Sequence, residues 1–316
     1  MNENPKPGTS QPQPGTPEQP PRRRLLHRRP GGRPRTLAGT AILPALFTIG
    51  NGLAGFASIH FATKDALGDA QLWNLAAGGW LIFAAIVFDM LDGRVARLAR
   101  RTSDFGGQLD SLCDVISFGV APPMLMLRTV SLVLHGQVER TSVLAAGIAV
   151  ERLVWCVAGM YVACAALRLA RFNVENDPDE SAHLAFSGLP SPGAAAAIAS
   201  LVLLFTHLAP YEEGWRSSPW VLVAVSLTLP LATLATALLM VSRLRYPHIL
   251  NQYLNSKKPF AYLVKLVLLA VAALANLFVT MAVLAVAYTL SVPVRIAWAR
   301  LRRRAPSTAG KPGQAP

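Results

Sequence analysis

Six apolar runs of about 20 residues, separated by short charged stretches, limit most strongly what this chain can fold into. A helix of about 20 apolar residues is long enough to cross the hydrocarbon core of a bilayer. A seventh run, over about 260–297, is longer than the others. The pattern predicts an all-α, polytopic transmembrane helix bundle. The six shorter runs lie at about 40–62, 71–91, 106–128, 142–167, 188–209 and 219–241.

The composition agrees with a membrane protein and explains its basic character. Of the 316 residues, 52% are hydrophobic and 15% are charged, whereas about a quarter of the residues in soluble domains are charged. The 30 Lys and Arg residues outnumber the 17 Asp and Glu residues. Because the arginines flank the apolar runs, they indicate positive-inside topology and contact with anionic membrane lipids, and no nucleic-acid partner is expected. The three cysteines lie in apolar segments without metal-ligand spacing and are interpreted as small buried hydrophobes.

The charges between the runs predict a topology. If the basic N-terminus is cytoplasmic, the arginine-rich loops after the second, fourth and sixth runs lie on the same side. A cytoplasmic C-terminus then requires an even number of spans, so we expect the run over 260–297 to form a hairpin that turns near Asn276. This predicts eight spans, a six-helix core plus a C-terminal hairpin, with seven spans as the alternative. The predicted location is the inner (cytoplasmic) membrane.

Both ends of the chain differ in composition from the apolar middle. Residues 1–21 are rich in Pro, Gly, Gln and Thr and are predicted to be disordered. The arginine run that follows is interpreted as a cytoplasmic anchor and not as an export signal, because the next apolar run is a full-length span without a small-residue cleavage site. The predicted segments are a tail at 1–38, the main core at 39–250, the hairpin at 251–299 and a basic, disordered tail at 300–316.

Four aspartates at the facing ends of the second and third runs form the candidate site. Asp89 and Asp92 are three residues apart on the second run, so they share one helix face. Asp110 and Asp114, four residues apart on the third run, share a face as well. The short connection makes these helices antiparallel neighbours, so the two acidic faces can converge. The cost of an isolated carboxylate at membrane depth is about 3 kcal/mol, and one or two divalent cations would remove it.

The chemistry of such a cluster points towards phosphorus. Carboxylate oxygens favour magnesium, calcium or manganese over zinc, and two such ions side by side are the usual clamp for displacement at phosphorus. Gly93 and Gly106 have no side chain to block a nucleotide, and Arg97 can offer a forked donor to a diphosphate. The alternative is a charged helix hairpin in which the aspartates pair with neighbouring arginines. These arginines are Arg94, Arg97 and Arg100.

The order of these residues resembles the complete signature of the CDP-alcohol phosphatidyltransferase family. That resemblance implies two divalent ions, magnesium or manganese, bound by the four aspartates, with Asp114 also acting as the base. It also implies a CDP-diacylglycerol donor and a homodimer. The residues that would line the CDP pocket are Gly93, Ala96, Arg97 and Gly106. The matching pattern is Asp89-x2-Asp92-Gly93-x2-Ala96-Arg97-x8-Gly106-x3-Asp110-x3-Asp114.

Further segments resemble the members of this family that use L-serine as the acceptor. The resemblance implies transfer of a phosphatidyl group to serine on the cytoplasmic side of the membrane. Acceptors such as glycerol 3-phosphate or inositol phosphate are the alternative within the class. A non-catalytic transporter or scaffold is the alternative outside it. The segments are Thr48 with Asn51, Val115–Pro123, Leu167–Asn173, Gly188–Pro192 and Met240–Pro247.

Two arginines near the cytoplasmic end of the fourth run are candidates for binding an anionic substrate. Arg168 and Arg171 are three residues apart, so both can face one pocket. Either could hold the serine carboxylate or the lipid-side phosphate, or could instead extend to lipid headgroups. The segment Gly188–Pro192 is interpreted as the start of the fifth span, because proline is tolerated in a first helical turn. A ligand role is the alternative for this segment.

Overall fold

The computed structural model describes Met1 and residues 38–65, 69–98, 104–138, 144–175, 188–209, 219–244, 246 and 259–304. In this part of the chain all regular secondary structure is helical, which confirms the all-α prediction. A π-helical turn, Val115–Val120, joins the third and fourth α-helices. The α-helices are α1 (Ala38–Thr63), α2 (Asp69–Leu98), α3 (Asp104–Asp114), α4 (Ala121–Val138), α5 (Leu144–Glu175), α6 (Ser191–Leu208), α7 (Pro219–Val241), α8 (Pro259–Ala275) and α9 (Leu277–Arg304).

Seven stretches of the described residues are helical, long and apolar enough to cross a membrane, so the chain is a multi-pass membrane protein. The first six coincide with the six apolar runs of the sequence. The third is continuous through α3, the π-helical turn and α4, without an intervening loop. The candidate spans are Pro44–Thr63, Asp69–Val95, Phe105–Leu134, Ile148–Val174, Ser191–Leu208, Val223–Val241 and Leu277–Arg300.

The long C-terminal run contains two helices, and the boundary between them lies at Asn276. Asn276 caps the start of α9, because its Oδ1 accepts a hydrogen bond of 3.0 Å from the backbone N–H of Val279. The boundary is therefore at the residue where the sequence predicted a turn. With its 17 residues, α8 spans about 26 Å, somewhat less than the ~30 Å hydrocarbon core. It is not among the seven candidate spans, and the eight-span topology stays a prediction.

The two predicted tails lie mostly outside the described residues. At the C-terminal end, α9 continues as a helix to Arg304, so the first residues of the predicted tail at 300–316 belong to that helix. The segment boundaries derived from the sequence stay predictions.

Helix α6 lies at the centre of the bundle. It packs against α2, α4, α7 and α9 and against the π-helical turn. Small side chains allow neighbouring membrane helices to approach closely, and the buried face of α6 is rich in them. This face includes Ala194, Ala195, Ala197, Ala199 and Ser200. Large apolar side chains such as Phe56, Trp73 and Leu153 are instead exposed on the bundle surface, where acyl chains surround a membrane protein.

Candidate active site

Three of the four aspartates meet between α2 and α3. One carboxylate oxygen from each of Asp89, Asp92 and Asp110 lies within 4.8 Å of the others. The convergence of the two acidic faces, predicted from the spacing, is therefore present. Asp114, the last residue of α3, lies outside that group of three but close enough to interact electrostatically with Asp89 and Asp110. The four carboxylates form one cluster, called here the aspartate cluster.

Two polar residues of α1 donate hydrogen bonds to the aspartate cluster. The amide Nδ2 of Asn51 donates to Asp114 Oδ1 at 2.9 Å. The Thr48 hydroxyl lies 3.1 Å from Asp92 Oδ2 and 3.1 Å from the carbonyl oxygen of Pro44, so its one proton serves one acceptor at a time. No role of their own was predicted for Thr48 and Asn51. The sequence did contain a pattern that could have identified them, because two polar residues three apart in an apolar helix share one face.

Glycines on α1 explain how this helix comes so close to the third span. A Cβ at Gly55 would lie 2.4 Å from Ser117 Oγ and 2.5 Å from Ser117 Cα, and a Cβ at Gly52 would lie 2.8 Å from Cys113 Sγ. Distances below 3.0 Å are too short for a Cβ atom, so a side chain at either glycine would force the neighbouring atoms to shift. Ser117 Oγ also donates a 2.8 Å hydrogen bond to the carbonyl oxygen of Asn51. The missing side chains therefore bring Asn51 within reach of Asp114.

The π-helical turn begins directly after Asp114. It buries Ser117, Phe118 and Gly119, and the hydroxyl of Tyr161 on α5 donates a 3.0 Å hydrogen bond to the carbonyl oxygen of Phe118. Single π-helical turns within α-helices occur frequently at functional sites. The sequence pattern did not predict this turn, because the segment Val115–Val120 fits an α-helix equally well.

The aspartate cluster fits a divalent metal ion. Its donor set consists of carboxylate oxygens, which suit hard cations such as magnesium and manganese. Asp110 Oδ1 is buried and has no hydrogen-bond partner among the described residues. Carboxylates held within 4.8 Å of one another repel unless a cation lies among them. The carboxylates of the aspartate cluster therefore fit the divalent metal ion that was predicted from the sequence.

The CDP pocket predicted from the sequence is partly described. A Cβ at Gly93 would meet no atom of the described residues within 4 Å, so this part of the structure leaves open space beside this end of α2, as expected for the approach of a ligand. The same is true of Gly107, which the sequence analysis did not select, whereas Gly106 is half-buried. Ala96 and Arg97 belong to α2, but their side chains lie outside the described part of the structure.

Of the two candidate arginines, Arg168 faces the aspartate cluster. It is half-buried, interacts electrostatically with Asp114 and Asp89, and donates from Nη1 to Ser191 Oγ at 2.6 Å. Arg171 is exposed. The structure therefore brings Arg168 to the site and leaves Arg171 at the periphery.

The segment before α6 supports Arg168. Gly188 has a φ of +101°, and a Cβ there would lie 2.2 Å from the carbonyl oxygen of Met240, so only glycine fits. Its N–H donates to the carbonyl oxygen of Leu244, and the N–H of Leu189 donates to that of Leu239. Ser191 then begins α6, which confirms that this segment starts the fifth span. The pairing of Ser191 with Arg168 was not predicted.

The protein is an all-α membrane bundle with an aspartate cluster at the facing ends of its second and third spans. A carboxylate site of this kind fits the divalent metal ions that phosphoryl-transfer enzymes use. The CDP-alcohol phosphatidyltransferase family profile matches residues 41–232, which cover both of these spans. The chain belongs to this family.

Three relatives illustrate the similarity. CDP-diacylglycerol--serine O-phosphatidyltransferase of Helicobacter pylori (strain ATCC 700392 / 26695) is 32% identical over 207 residues, which are 66% of this chain and 72% of the relative. The enzyme of the same name from Mycobacterium bovis is 33% identical over 196 residues, 60% of this chain and 59% of the relative. Archaetidylserine synthase of Methanothermobacter thermautotrophicus is 32% identical over 209 residues, 66% of this chain and 70% of the relative.

Proposed function

We propose that this protein transfers the phosphatidyl group of CDP-diacylglycerol to L-serine, giving phosphatidylserine and CMP. The observation that carries the proposal is the meeting of Asp89, Asp92 and Asp110 within 4.8 Å, inside the segment that matches the family. The names of the bacterial relatives support CDP-diacylglycerol as the donor and serine as the acceptor. The archaeal relative, named for an archaetidylserine product, also supports serine.

The cofactor in this proposal is a pair of magnesium or manganese ions held by Asp89, Asp92, Asp110 and Asp114. When bound, such ions supply neutralisation of the charge on the diphosphate and on the departing CMP. Asp110 Oδ1, which is buried and has no partner within the described part of the chain, supports the assignment of this residue as a ligand.

Asp114 acts as the base in this proposal. Asn51 donates to Oδ1 of Asp114 and so fixes the orientation of the carboxylate, which leaves Oδ2 to accept the proton of the serine hydroxyl. The serine oxygen then forms a bond to the lipid-linked phosphorus, and the bond from that phosphorus to the oxygen of CMP breaks with its electron pair. CMP leaves as the anion, and the proton on Asp114 passes to water.

Three basic residues are assigned to anionic groups of the substrates or of the membrane lipids. Arg97, with Gly93, Ala96 and Gly106, contributes to the pocket for the CDP diphosphate, and the open space at Gly93 supports this placement. Arg168 binds the carboxylate of serine, because its guanidinium lies beside Asp114 and can offer paired donors. Arg171, which is exposed, is assigned to the lipid-side phosphate or to lipid headgroups at the membrane surface.

The enzyme is placed in the inner (cytoplasmic) membrane as a homodimer, with its active site on the cytoplasmic side. The arginine-rich loops support this orientation. Because the acyl chains of the donor stay in the bilayer, the site opens sideways towards the cytoplasmic leaflet.

The direct test measures CMP release by the purified protein in detergent. CDP-diacylglycerol is supplied with serine, glycerol 3-phosphate or inositol phosphate in separate reactions, with magnesium or manganese, then with a chelator, then after return of the metal. We expect release with serine, loss of release in the chelator and recovery with metal. Release with a different alcohol would overturn the serine assignment. No release with any acceptor would instead favour a transporter or scaffold.

A further inference from the structure

Helix α9 brings a tyrosine close to Arg168, beside the aspartate cluster, although α9 lies outside the family match at 41–232. The ring of Tyr288 packs on the first turn of α6, where a Cβ at Gly193 would lie 3.0 Å from Tyr288 Cε1. Gly193 is two residues beyond Ser191, which holds Arg168. The tyrosine ring and the guanidinium therefore both contact the first turn of α6.

Arg168 is close to both Tyr288 and the aspartate cluster. Its guanidinium interacts electrostatically with Tyr288 and also with Asp114 and Asp89. A guanidinium and a phenol are both hydrogen-bond donors, whereas carboxylates are acceptors. This side of the site therefore offers donors, at a place adjacent to the proposed base.

The surroundings of Tyr288 hold its ring in place. The ring of Tyr246, which follows α7, lies with its centroid 5.9 Å from that of Tyr288. The Tyr246 hydroxyl donates a 2.9 Å hydrogen bond to the carbonyl oxygen of Thr289, the next residue of α9. A group fixed in this way loses little freedom when it binds a ligand, so it suits a recognition site.

We propose that the Tyr288 hydroxyl, together with the Arg168 guanidinium, binds the carboxylate of the amino-acid acceptor, an inference that rests on the proposed function. Ser191 already accepts one N–H of Arg168, so a second donor from α9 adds to what the guanidinium can offer a carboxylate. An acceptor without a carboxylate loses the charge-assisted hydrogen bonds to both donors, and a site built to hydrogen-bond a substrate group discriminates against analogues that lack this group. The C-terminal helix thereby contributes to the choice of acceptor.

The test compares Tyr288→Phe with the wild type, using serine and L-serinamide, which lacks the carboxylate charge, as acceptors. A hydrogen bond to a charged group is lost, so we expect the KM for serine to rise about tenfold or more, with kcat and the KM for CDP-diacylglycerol changed less than about twofold. The preference of the enzyme for serine over serinamide falls by a similar factor. Unchanged values for both the KM and the preference would overturn the inference.

Thr280→Val is the matched control, because it removes a hydroxyl from α9 that donates to the carbonyl oxygen of Asn276, about two helical turns from Tyr288, and it leaves the preference for serine unchanged. If size exclusion and thermal unfolding show that Tyr288→Phe does not fold, Gly193→Ala tests the same contact, because its methyl group displaces the tyrosine ring. The KM for serine is again expected to rise. A folded Gly193→Ala with wild-type kinetics would then count against the inference. A wild type that releases CMP with another alcohol and not with serine would overturn the proposed acceptor and this inference together.

Discussion

The third span carries charged residues near both of its ends, and the two ends deal with charge in opposite ways. At one end Asp110 and Asp114 meet two further carboxylates, with Arg168 as a cation beside them. At the other end Arg128 forms an ion pair with Asp65, one cation with one anion. The ion pair carries no net charge, whereas the aspartate cluster keeps a net negative charge unless a further cation binds there. Charge imbalance, and not charge as such, distinguishes the functional end of the span.

The two ends also differ in exposure. In the ion pair, 33% of the Arg128 side chain and 92% of the Asp65 side chain are exposed, which places the pair at the surface of the bundle. Asp92 and Asp114 are buried, and helix α1 supplies neutral donors to both. Exposed pairs contribute little to stability. Substitutions are therefore expected to have larger effects at the aspartate cluster than at the ion pair.

The largest difference between the two ends is expected from removing one carboxylate at each. Asp114→Asn removes the proposed base, so CMP release falls by about 10³-fold, while CDP-diacylglycerol binding stays measurable because the other carboxylates remain. Asp65→Asn, the matched change at the opposite end, keeps wild-type turnover. Steady-state rates and a binding assay with the labelled donor check both. Near-normal turnover in Asp114→Asn would show that this residue is not the base.

The approach of α1 to the aspartate cluster is the next point to test. Gly55→Ala places a methyl group within 2.5 Å of Ser117, so α1 must move away and both of its donors move with it. We expect about a hundredfold loss of turnover and about 1–3 kcal/mol loss of stability. Gly159→Ala on α5 is the matched control, since a Cβ there would meet no atom within 4 Å in the part of the chain that the structure describes. Equal behaviour of the two variants in kinetics and thermal unfolding would contradict the role given to α1.

A single donor from α1 has a smaller expected effect. Asn51→Leu removes the amide that orients Asp114 while keeping a similar volume, so kcat falls about tenfold with the fold intact. Ser58→Ala is the control on the same helix, because its hydroxyl donates only to the carbonyl oxygen of Gly78. If Asn51→Leu retains the wild-type kcat, the orientation of the base does not depend on this bond.

The smallest effect is expected at the self-neutralised end. Arg128→Gln removes the ion pair with Asp65, and the free energy of unfolding changes by less than about 1 kcal/mol. Turnover and its dependence on metal concentration stay at wild-type values. A loss of activity comparable to that of Asn51→Leu would show that the two ends of the third span are coupled, and would weaken the distinction drawn between them.

The sequence predicted what depends on local spacing. The apolar runs predicted the first six spans, and the spacing of Asp89 with Asp92 and of Asp110 with Asp114 predicted the convergence of their faces. Asn276 was correctly chosen as a helix boundary because it interrupts an apolar run. Each of these features depends on residues within about one span of one another along the chain, where helical periodicity is informative.

The contacts that the sequence did not predict connect distant helices. The approach of Gly55 to Ser117, the bond from Asn51 to Asp114 and the bond from Arg168 to Ser191 depend on which helices become neighbours. Periodicity contains no information about that choice. The π-helical turn was missed for a different reason, because its six residues fit an α-helical pattern equally well.

The bonds from α1 to the aspartate cluster also bear on how the chain is made. Because synthesis runs from the N-terminus, Thr48 and Asn51 enter the membrane before Asp92 and Asp114, the residues they later bind. A neutral hydroxyl or amide costs less in lipid than a carboxylate does. Each aspartate that arrives therefore finds its donor already in the bilayer, and the order of insertion shortens the time during which a carboxylate is left without a partner there.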